Sequence, residues 1–364
     1  MRVIGLSKGF RDVLALQDVS LDMNDGEYVS IIGPSGCGKS TLLKCIAGII
    51  KQDSGEIFIG DREVTSLPPE DRQLGYMFQE IALFPHMSVL QNVGYGPRVR
   101  GKDRRSSREF VGQIMEMARL AVGSETYPDE LSGGASQKAA LARAIAAEPE
   151  LMLLDEPLGA LDAHVRAALR YELRRLVKEL QLTAIHVTHD QEEAMSISDR
   201  LVIMKAGRIV EVGTPLELYL TPKRLFTANF LGEANFFQAT VKDCTAYQVT
   251  ASVNGWTLNF AGSGYASGER VVLAARPESV ILTPADRQAS QEWIGTVRDR
   301  MLLGDCIRME IGMNNNLTVI AQTPNRGLLG MVDRGETVRI DFSVGSILSY
   351  RWPAEGLDAE LALE

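Results

Sequence analysis

Residues 33–41 read GPSGCGKST, and the run LMLL at 151–154 ends in two acids, Asp155 and Glu156. Gly33, Gly38, Lys39 and Ser40 complete the pattern GxxxxGK[ST]. That spacing suits one chemistry, the cradling of phosphate. Glycines let a loop turn its N–H groups inward, so the stretch Gly33, Pro34, Ser35, Gly36, Cys37, Gly38 offers backbone donors. Lys39 would neutralise the terminal phosphates, Ser40 would ligate Mg2+, and Thr41 would add a hydroxyl. Such a loop needs an acid at the end of a neighbouring strand to hold the metal, and Asp155 is placed for it. Glu156, next to it, is a candidate to take a proton from an attacking water. Acids before Pro157 also suit a helix N-cap, but the apolar run ahead of them favours the catalytic reading. The residues thus point to hydrolysis of a nucleoside triphosphate.

These side chains need elements to position them. EYVSII (27–32) reads as a short buried strand ahead of the glycine loop, and LLKCIAGII as the helix after it. LMLLDEP (151–157) and TAIHVTH (183–189) read as further buried parallel strands. Between them, near 162–181, Val165, Leu169, Leu173, Leu176 and Leu180 form the apolar stripe of a helix. LVIMKAGRIVEVG (201–213) reads as a hairpin turning at Ala206-Gly207. The alternation predicts an α/β nucleotide-binding fold with a mainly parallel sheet. Residues 85–147 look helical and predict an inserted helical subdomain. After about Gly232 short alternating runs separated by Gly, Asn and Pro predict a small all-β barrel or sandwich. The expected organisation is 1–232, 233–352 and a flexible acidic tail, 353–364.

Composition sets bounds. The 364 residues are 45% hydrophobic and 23% charged, with a net charge of −9, which argues against nucleic acid as a main partner. Cys37, Cys45, Cys244 and Cys306 show no metal spacing and read as reduced thiols. The start has no apolar signal region, and no run approaches the length of a membrane span, so a membrane role would come through a partner.

A second anion site opens LSGGASQKAALARA (131–144). Ser132, Gly133 and Gly134 precede a long alanine-rich helix, where free amides meet a dipole end. An isolated Ser-Gly-Gly is also an ordinary N-cap. The whole stretch resembles the signature sequence of ABC-family ATPases. In that family two subunits pack head to tail, and the signature of one covers the nucleotide held by the P-loop of the other. The resemblance implies ATP and Mg2+ as cofactors and a homodimer. It also implies roles for Gln79 in YMFQE (metal and water sensing, facing the membrane partner), for Asp162 in GALD (crossing the dimer seam), for His189 in VTHD (the γ-phosphate), for Gln137 in the signature and for Phe10 (stacking on adenine). Ala135, Lys138, Gly159 and Pro97 depart from the usual residues.

ALFPHMSVLQNVGYG (82–96) resembles the segment that receives a permease coupling helix, with Phe84 and Met87 as candidate lining. LGEANFF and RPES, with Arg276-Pro277-Glu278, resemble the OB-like TOBE domain of importer ATPases for sugars, polyamines, ferric iron or oxyanions. This domain helps dimerise the subunits in relatives and can receive regulatory signals. The implied protein energises solute import from the cytoplasmic face of the membrane, beneath two permease subunits served by an extracytoplasmic binding protein. GEANFF leans the solute toward polyamine or ferric iron. A DNA- or ribosome-acting ATPase is disfavoured by the single cassette and the short gap between the two phosphate sites. A decayed regulatory module is disfavoured by the intact Lys39, Asp155, Glu156 and His189.

Overall fold

The structure, a computed structural model, describes the chain except residues 121–122, 124, 160, 286–292, 314–316, 326–331, 344 and 363–364. Ala160 of the GALD stretch and the last two residues of the tail lie outside the described part. The chain divides into two compact units between Leu218 and Tyr219.

The first unit runs β1 (Arg2–Phe10), β2 (Val13–Asp22), β3 (Tyr28–Ile32), α1 (Lys39–Ile46), β4 (Ser54–Ile59), β5 (Arg62–Glu63) and β6 (Leu74–Met77). The helices α2 (Val89–Val93), α3 (Tyr95–Val99), α4 (Arg104–Met117) and α5 (Gly133–Ala146) follow. Then come β7 (Leu151–Asp155), α6 (Ala163–Glu179), β8 (Ala184–Val187), α7 (Gln191–Ile197), β9 (Arg200–Lys205) and β10 (Arg208–Gly213). One sheet has the order β10-β9-β3-β8-β7-β6, parallel except for β10. Its central strands β3, β7 and β8 are buried throughout, because helices cover both faces and the sequences are nearly continuous apolar runs. A second, antiparallel sheet, β2-β1-β4-β5, had no clear signature in the sequence. Its hairpin carries register shifts and the positive-φ residues Gly5, Arg11 and Asp18, which break the period-two pattern.

Two contacts fix the glycine-loop helix. Arg72 is buried and donates to the Cys45 and Ile46 carbonyls at the end of α1, so a cation meets the negative end of the helix. At the other end, Gly207 in the β9–β10 turn donates to the Cys37 carbonyl, and its own carbonyl accepts from Gln17 of β2.

The second unit is β-rich. One sheet has the order β13-β12-β11-β14-β20, from β11 (Asn235–Cys244), β12 (Gln248–Val253), β13 (Trp256–Ala261), β14 (Arg270–Ala275) and β20 (Ile347–Arg351). The other has the order β15-β19-β16-β17-β18, from β15 (Val280–Pro284), β16 (Ile294–Leu302), β17 (Cys306–Met313), β18 (Thr318–Pro324) and β19 (Thr337–Phe342). One core joins them, including Phe237, Val271, Leu273, Trp293, Ile311 and Ile340. This unit begins well ahead of Gly232, where the texture of the sequence changes. Arg276 explains why: its buried guanidinium donates to the carbonyls of Tyr219, Ala228, Gly232 and Glu233 and lies over the Tyr219 ring. The acidic tail contains a short helix, Leu357–Leu361, whose Leu361 carbonyl accepts from Asn229. Among the described residues no helix is long and apolar enough to cross a membrane.

Candidate functional site

The loop between β3 and α1 is closely packed. A Cβ on Gly33 would stand 2.2 Å from the Met204 carbonyl oxygen. Gly38 has φ 103° and faces the Ala15 carbonyl, where a Cβ would come within 2.4 Å. No other residue fits either position. Lys39 is buried, and its Nζ donates to the Gly33 and Pro34 carbonyls at 2.8 and 2.9 Å. Cys37 lies behind the loop, where burial pushes its thiol up from its ordinary pKa despite the nearby Lys39. In front opens a cleft of about 510 Å3 lined by Ala15, Ser35, Gly36, Gly38, Lys39, Ser40, Thr41, Glu156 and His189.

Neighbouring strand ends bring the remaining groups. Asp155, 5% exposed at the end of β7, accepts from Ser40 Oγ at 3.0 Å and from the Tyr76 hydroxyl at 3.2 Å. Glu156 follows with φ 46°, a left-handed backbone for a residue with a side chain, held by its N–H to the Val187 carbonyl. Its Oε2 accepts from Gln79 Nε2 at 2.9 Å and lies 3.4 Å from His189 Nδ1. Gln79, Glu156 and His189 therefore meet at one oxygen, on the rim of the phosphate cradle. Tyr76 went unread in the sequence. Its signal was a polar ring on β6, beside the strand that ends in Asp155. Burial and the Asp155 charge push its phenol well up, so it stays protonated and donates.

Ser132, Gly133 and Gly134 lie elsewhere. Ser132 caps α5, its Oγ accepting from Ala135 N at 3.3 Å. With Arg119, Ala135, Lys138, Asp162 and His164 they line a separate cavity of about 600 Å3 that shares no residue with the P-loop cleft. Asp162 caps α6, accepting from Val165 N at 3.0 Å. Gln137 is not at this edge: it is buried between α5 and α6, and its Oε1 has no hydrogen-bond partner. Phe10 is 45% exposed on the β1–β2 turn, with Lys8 Nζ 5.4 Å from its ring, and is not among the residues lining the cleft. Lys138 pairs with Glu172 at 2.6 Å. At Gly159 a Cβ would meet nothing closer than 3.5 Å, so no steric demand requires glycine there.

A strand, a glycine cradle with its lysine, a hydrogen-bonded Ser–Asp pair and a separate Ser-Gly-Gly helix edge form one constellation. A model of the ABC transporter family matches residues 16–159, and one of the TOBE domain matches residues 260–348. The spermidine/putrescine import ATP-binding protein PotA of Roseobacter denitrificans is 38% identical over 343 residues, 93% of this chain and 94% of that protein. The chain belongs to the ABC transporter family. The Fe(3+) ions import ATP-binding protein FbpC 1 of Rhizobium meliloti is 41% identical over 306 residues, 84% of this chain and 86% of that protein. A solved dimeric structure of the bacterial ABC transporter cassette MJ0796 matches with TM-score 0.53 and 30% identity, covering 59% of this chain and 98% of that one. The same cassette in a post-hydrolysis state bound to ADP and Pi matches with TM-score 0.52. The first unit is thus an ABC ATPase cassette, the β-rich unit carries the TOBE domain, and the chain is a transporter ATPase that binds ATP.

Proposed function

We propose that this ABC ATPase drives import of a cationic solute as a head-to-tail homodimer. ATP and Mg2+ would lie between the P-loop cleft of one copy and the signature edge of the other. The observation that carries this reading is the separation of the two anion sites. The P-loop cleft has a lysine, an acid and a histidine but an open side. The Ser132–Gly134 edge has amides and a hydroxyl but no glycine cradle and no lysine tied into one. Each supplies what the other lacks.

Lys39 neutralises the β and γ phosphates, and the loop amides fix their position. Ser40 Oγ and Asp155 are hard oxygen donors 3.0 Å apart, a pair that suits Mg2+ completed by phosphate oxygens and water. Gln79 completes the metal and water contacts. Held by Ser40 and Asp155, Mg2+ would supply charge neutralisation at the transferred phosphoryl group. Glu156 accepts the proton of the attacking water at Oε2, where Gln79 and His189 fix the carboxylate. His189 contacts the γ-phosphate, and Asp162 faces the partner copy. Phe10, exposed on the β1–β2 turn, would stack on adenine.

Residues 82–96 of each copy receive the coupling helix of one of two permease subunits, holding the ATPase at the cytoplasmic face. Phe84 is packed on Tyr95, with ring centroids 4.6 Å apart, and under Arg143 of α5, whose guanidinium also donates to the Ala82 carbonyl. Movement at this segment would therefore be felt by the signature helix. An extracytoplasmic binding protein would deliver the solute. The relatives named for spermidine/putrescine and for Fe(3+) favour a polyamine or ferric iron over a sugar or oxyanion.

The test is uptake into vesicles reconstituted with the membrane subunits that copurify. ATP-dependent accumulation of putrescine or Fe3+, lost in Glu156→Gln, is the expected result. Accumulation only of a sugar or of molybdate would replace the solute assignment. Accumulation that persists in Glu156→Gln would overturn the ATPase-driven scheme.

A further inference from the structure

Behind the loop that carries His189 lies a row of buried polar groups, none of which lines the P-loop cleft. Tyr28 of β3, His186 of β8 and Glu193 of α7 are each at most 2% exposed, and so is Thr188. The Tyr28 hydroxyl is 3.1 Å from His186 Nδ1. On the far side of the ring, His186 Nε2 faces Glu193 Oε1 at 3.5 Å, and both atoms are buried without a hydrogen-bond partner. Glu193 Oε2 accepts from the Thr188 hydroxyl at 2.7 Å, and that hydroxyl accepts from Asp190 N at 3.0 Å. Asp190 in turn caps α7 by accepting from Glu193 N at 2.9 Å. The two residues that flank His189 are therefore both tied to Glu193.

Packing alone does not explain this row. An apolar residue would fill position 186 as well, and each polar group placed there costs free energy unless it is bonded. The directions are consistent along the row. With the Tyr28 hydroxyl donating to Nδ1, the ring would carry its proton on Nε2, aimed at the Glu193 carboxylate. The one weak step is the 3.5 Å gap, a few tenths of an ångström too long for a good hydrogen bond. Closing it would draw the first turn of α7 against β8 and carry Thr188 and Asp190 with it. Burial holds His186 neutral, its pKa pushed down to about 3, with Asp190 opposing. The other charges facing this region are Arg166, Arg170 and Arg174 of α6, the first two of which pair with Asp190 at 3.5 and 3.6 Å.

We propose that Tyr28, His186, Glu193 and Thr188 are positioning residues for His189: the buried row sets where the switch loop stands, and the His186–Glu193 contact closes when His189 engages the γ-phosphate. This rests on the reading of His189 given above.

The test uses the full-length ATPase, with His189→Ala as control. Thr188→Val keeps shape and removes the hydroxyl. It should lower kcat about 10- to 30-fold while the KM for ATP stays within about two-fold, because a misplaced group costs the transition state more than substrate binding. Thr188→Ser should restore kcat to within about two-fold of wild type. His186→Leu should lower kcat about five-fold at unchanged KM. If Thr188→Val keeps wild-type kcat while His189→Ala loses turnover, the positioning role fails and the reading of His189 stands. If His189→Ala itself keeps turnover, that reading fails instead. A fall in kcat matched by an equal rise in KM, or one that Thr188→Ser does not rescue, would mark a structural role only and overturn the proposal.

Discussion

The P-loop cleft and the signature edge begin alike, as glycines ahead of a helix, yet they are built to different standards. Around Gly33 and Gly38 the backbone is pressed against the Met204 and Ala15 carbonyls, and Lys39 is tied into the loop by two further bonds. The end of α1 is held by Arg72, and Glu156, the proposed base, has a left-handed backbone fixed from β8. The edge at Ser132 has one side-chain cap, and a Cβ on Gly133 would meet only the Leu161 side chain, at 3.6 Å. A site that must place a nucleophile to within a fraction of an ångström is over-determined by its own chain. A surface that only has to close on a partner can leave its donors open to solvent until the partner arrives.

The sharpest way to break this comparison is at Glu156. Glu156→Gln keeps the shape and removes the base, so kcat should fall by about 10²-fold or more while ATP binding persists. Closed dimers should then accumulate on size-exclusion chromatography with ATP. Near-normal turnover would remove Glu156 from its role. The division of labour itself is tested by mixing. Lys39→Ala and Ser132→Arg chains are each expected to be inactive alone. A mixed dimer joins one intact P-loop to one intact edge, so an equal mixture should recover about a quarter of wild-type ATPase activity. Absence of recovery, with mixed dimers present by crosslinking, would break the head-to-tail reading.

The interior behind the cleft gives a pH-dependent contrast. The folded-state pKa of His186, about 3, lies below its unfolded value, so the unfolded chain binds the extra proton in the window between. The stabilisation is fully present above about pH 6.5 and is lost as pH falls toward 3, at about 1.4 kcal/mol per pH unit. Burial pushes the Glu193 carboxyl up, which acts in the opposite direction as pH falls. The stability difference between wild type and His186→Leu should therefore shift by about 2 kcal/mol in the variant's favour between pH 7.5 and pH 5, read from thermal unfolding. A constant difference across that range would mean that His186 titrates normally.

How much of this could be read beforehand follows from how local each signal is. β3, β7 and β8 were legible because strands buried on both faces are written as unbroken apolar runs. The cradle was legible because its glycines, its lysine and the hydroxyls of Ser40 and Thr41 lie within nine positions of sequence. The edge was legible for the same reason. The β1–β2–β4–β5 sheet was not, since bulges and positive-φ residues interrupt its alternation. Tyr76 and Arg276 were missed as organisers because each acts through partners 79 and 43 to 57 positions away. His186 left one trace, a histidine inside an apolar strand. Gln137, which the signature pattern assigns to the nucleotide, is held inside by helix packing, with its Oε1 unbonded.

The smallest effects belong to the open edge. Ser132→Ala removes the cap of α5 and should cost about 1 kcal/mol of cassette stability, with a larger loss in turnover than in thermal midpoint. Lys138 asks a finer question, since it departs from the residue usual in the family. Its partner Glu172 also lies 3.7 Å from Arg119, so one carboxylate neutralises two cations on the wall of the signature cavity. If that pairing serves only the fold, Glu172→Gln should lower stability by less than about 1 kcal/mol, and 0.5 M salt should erase most of the difference. ATP affinity should be unchanged, because the P-loop cleft has no part in the pair. If the pairing instead tunes the charge that meets the partner's nucleotide, freeing Lys138 and Arg119 should tighten the ATP-bound dimer and shift its dissociation constant at low salt. The two outcomes separate a structural ion pair from a compensation for the altered signature, at the face where the chain is least constrained by its own contacts.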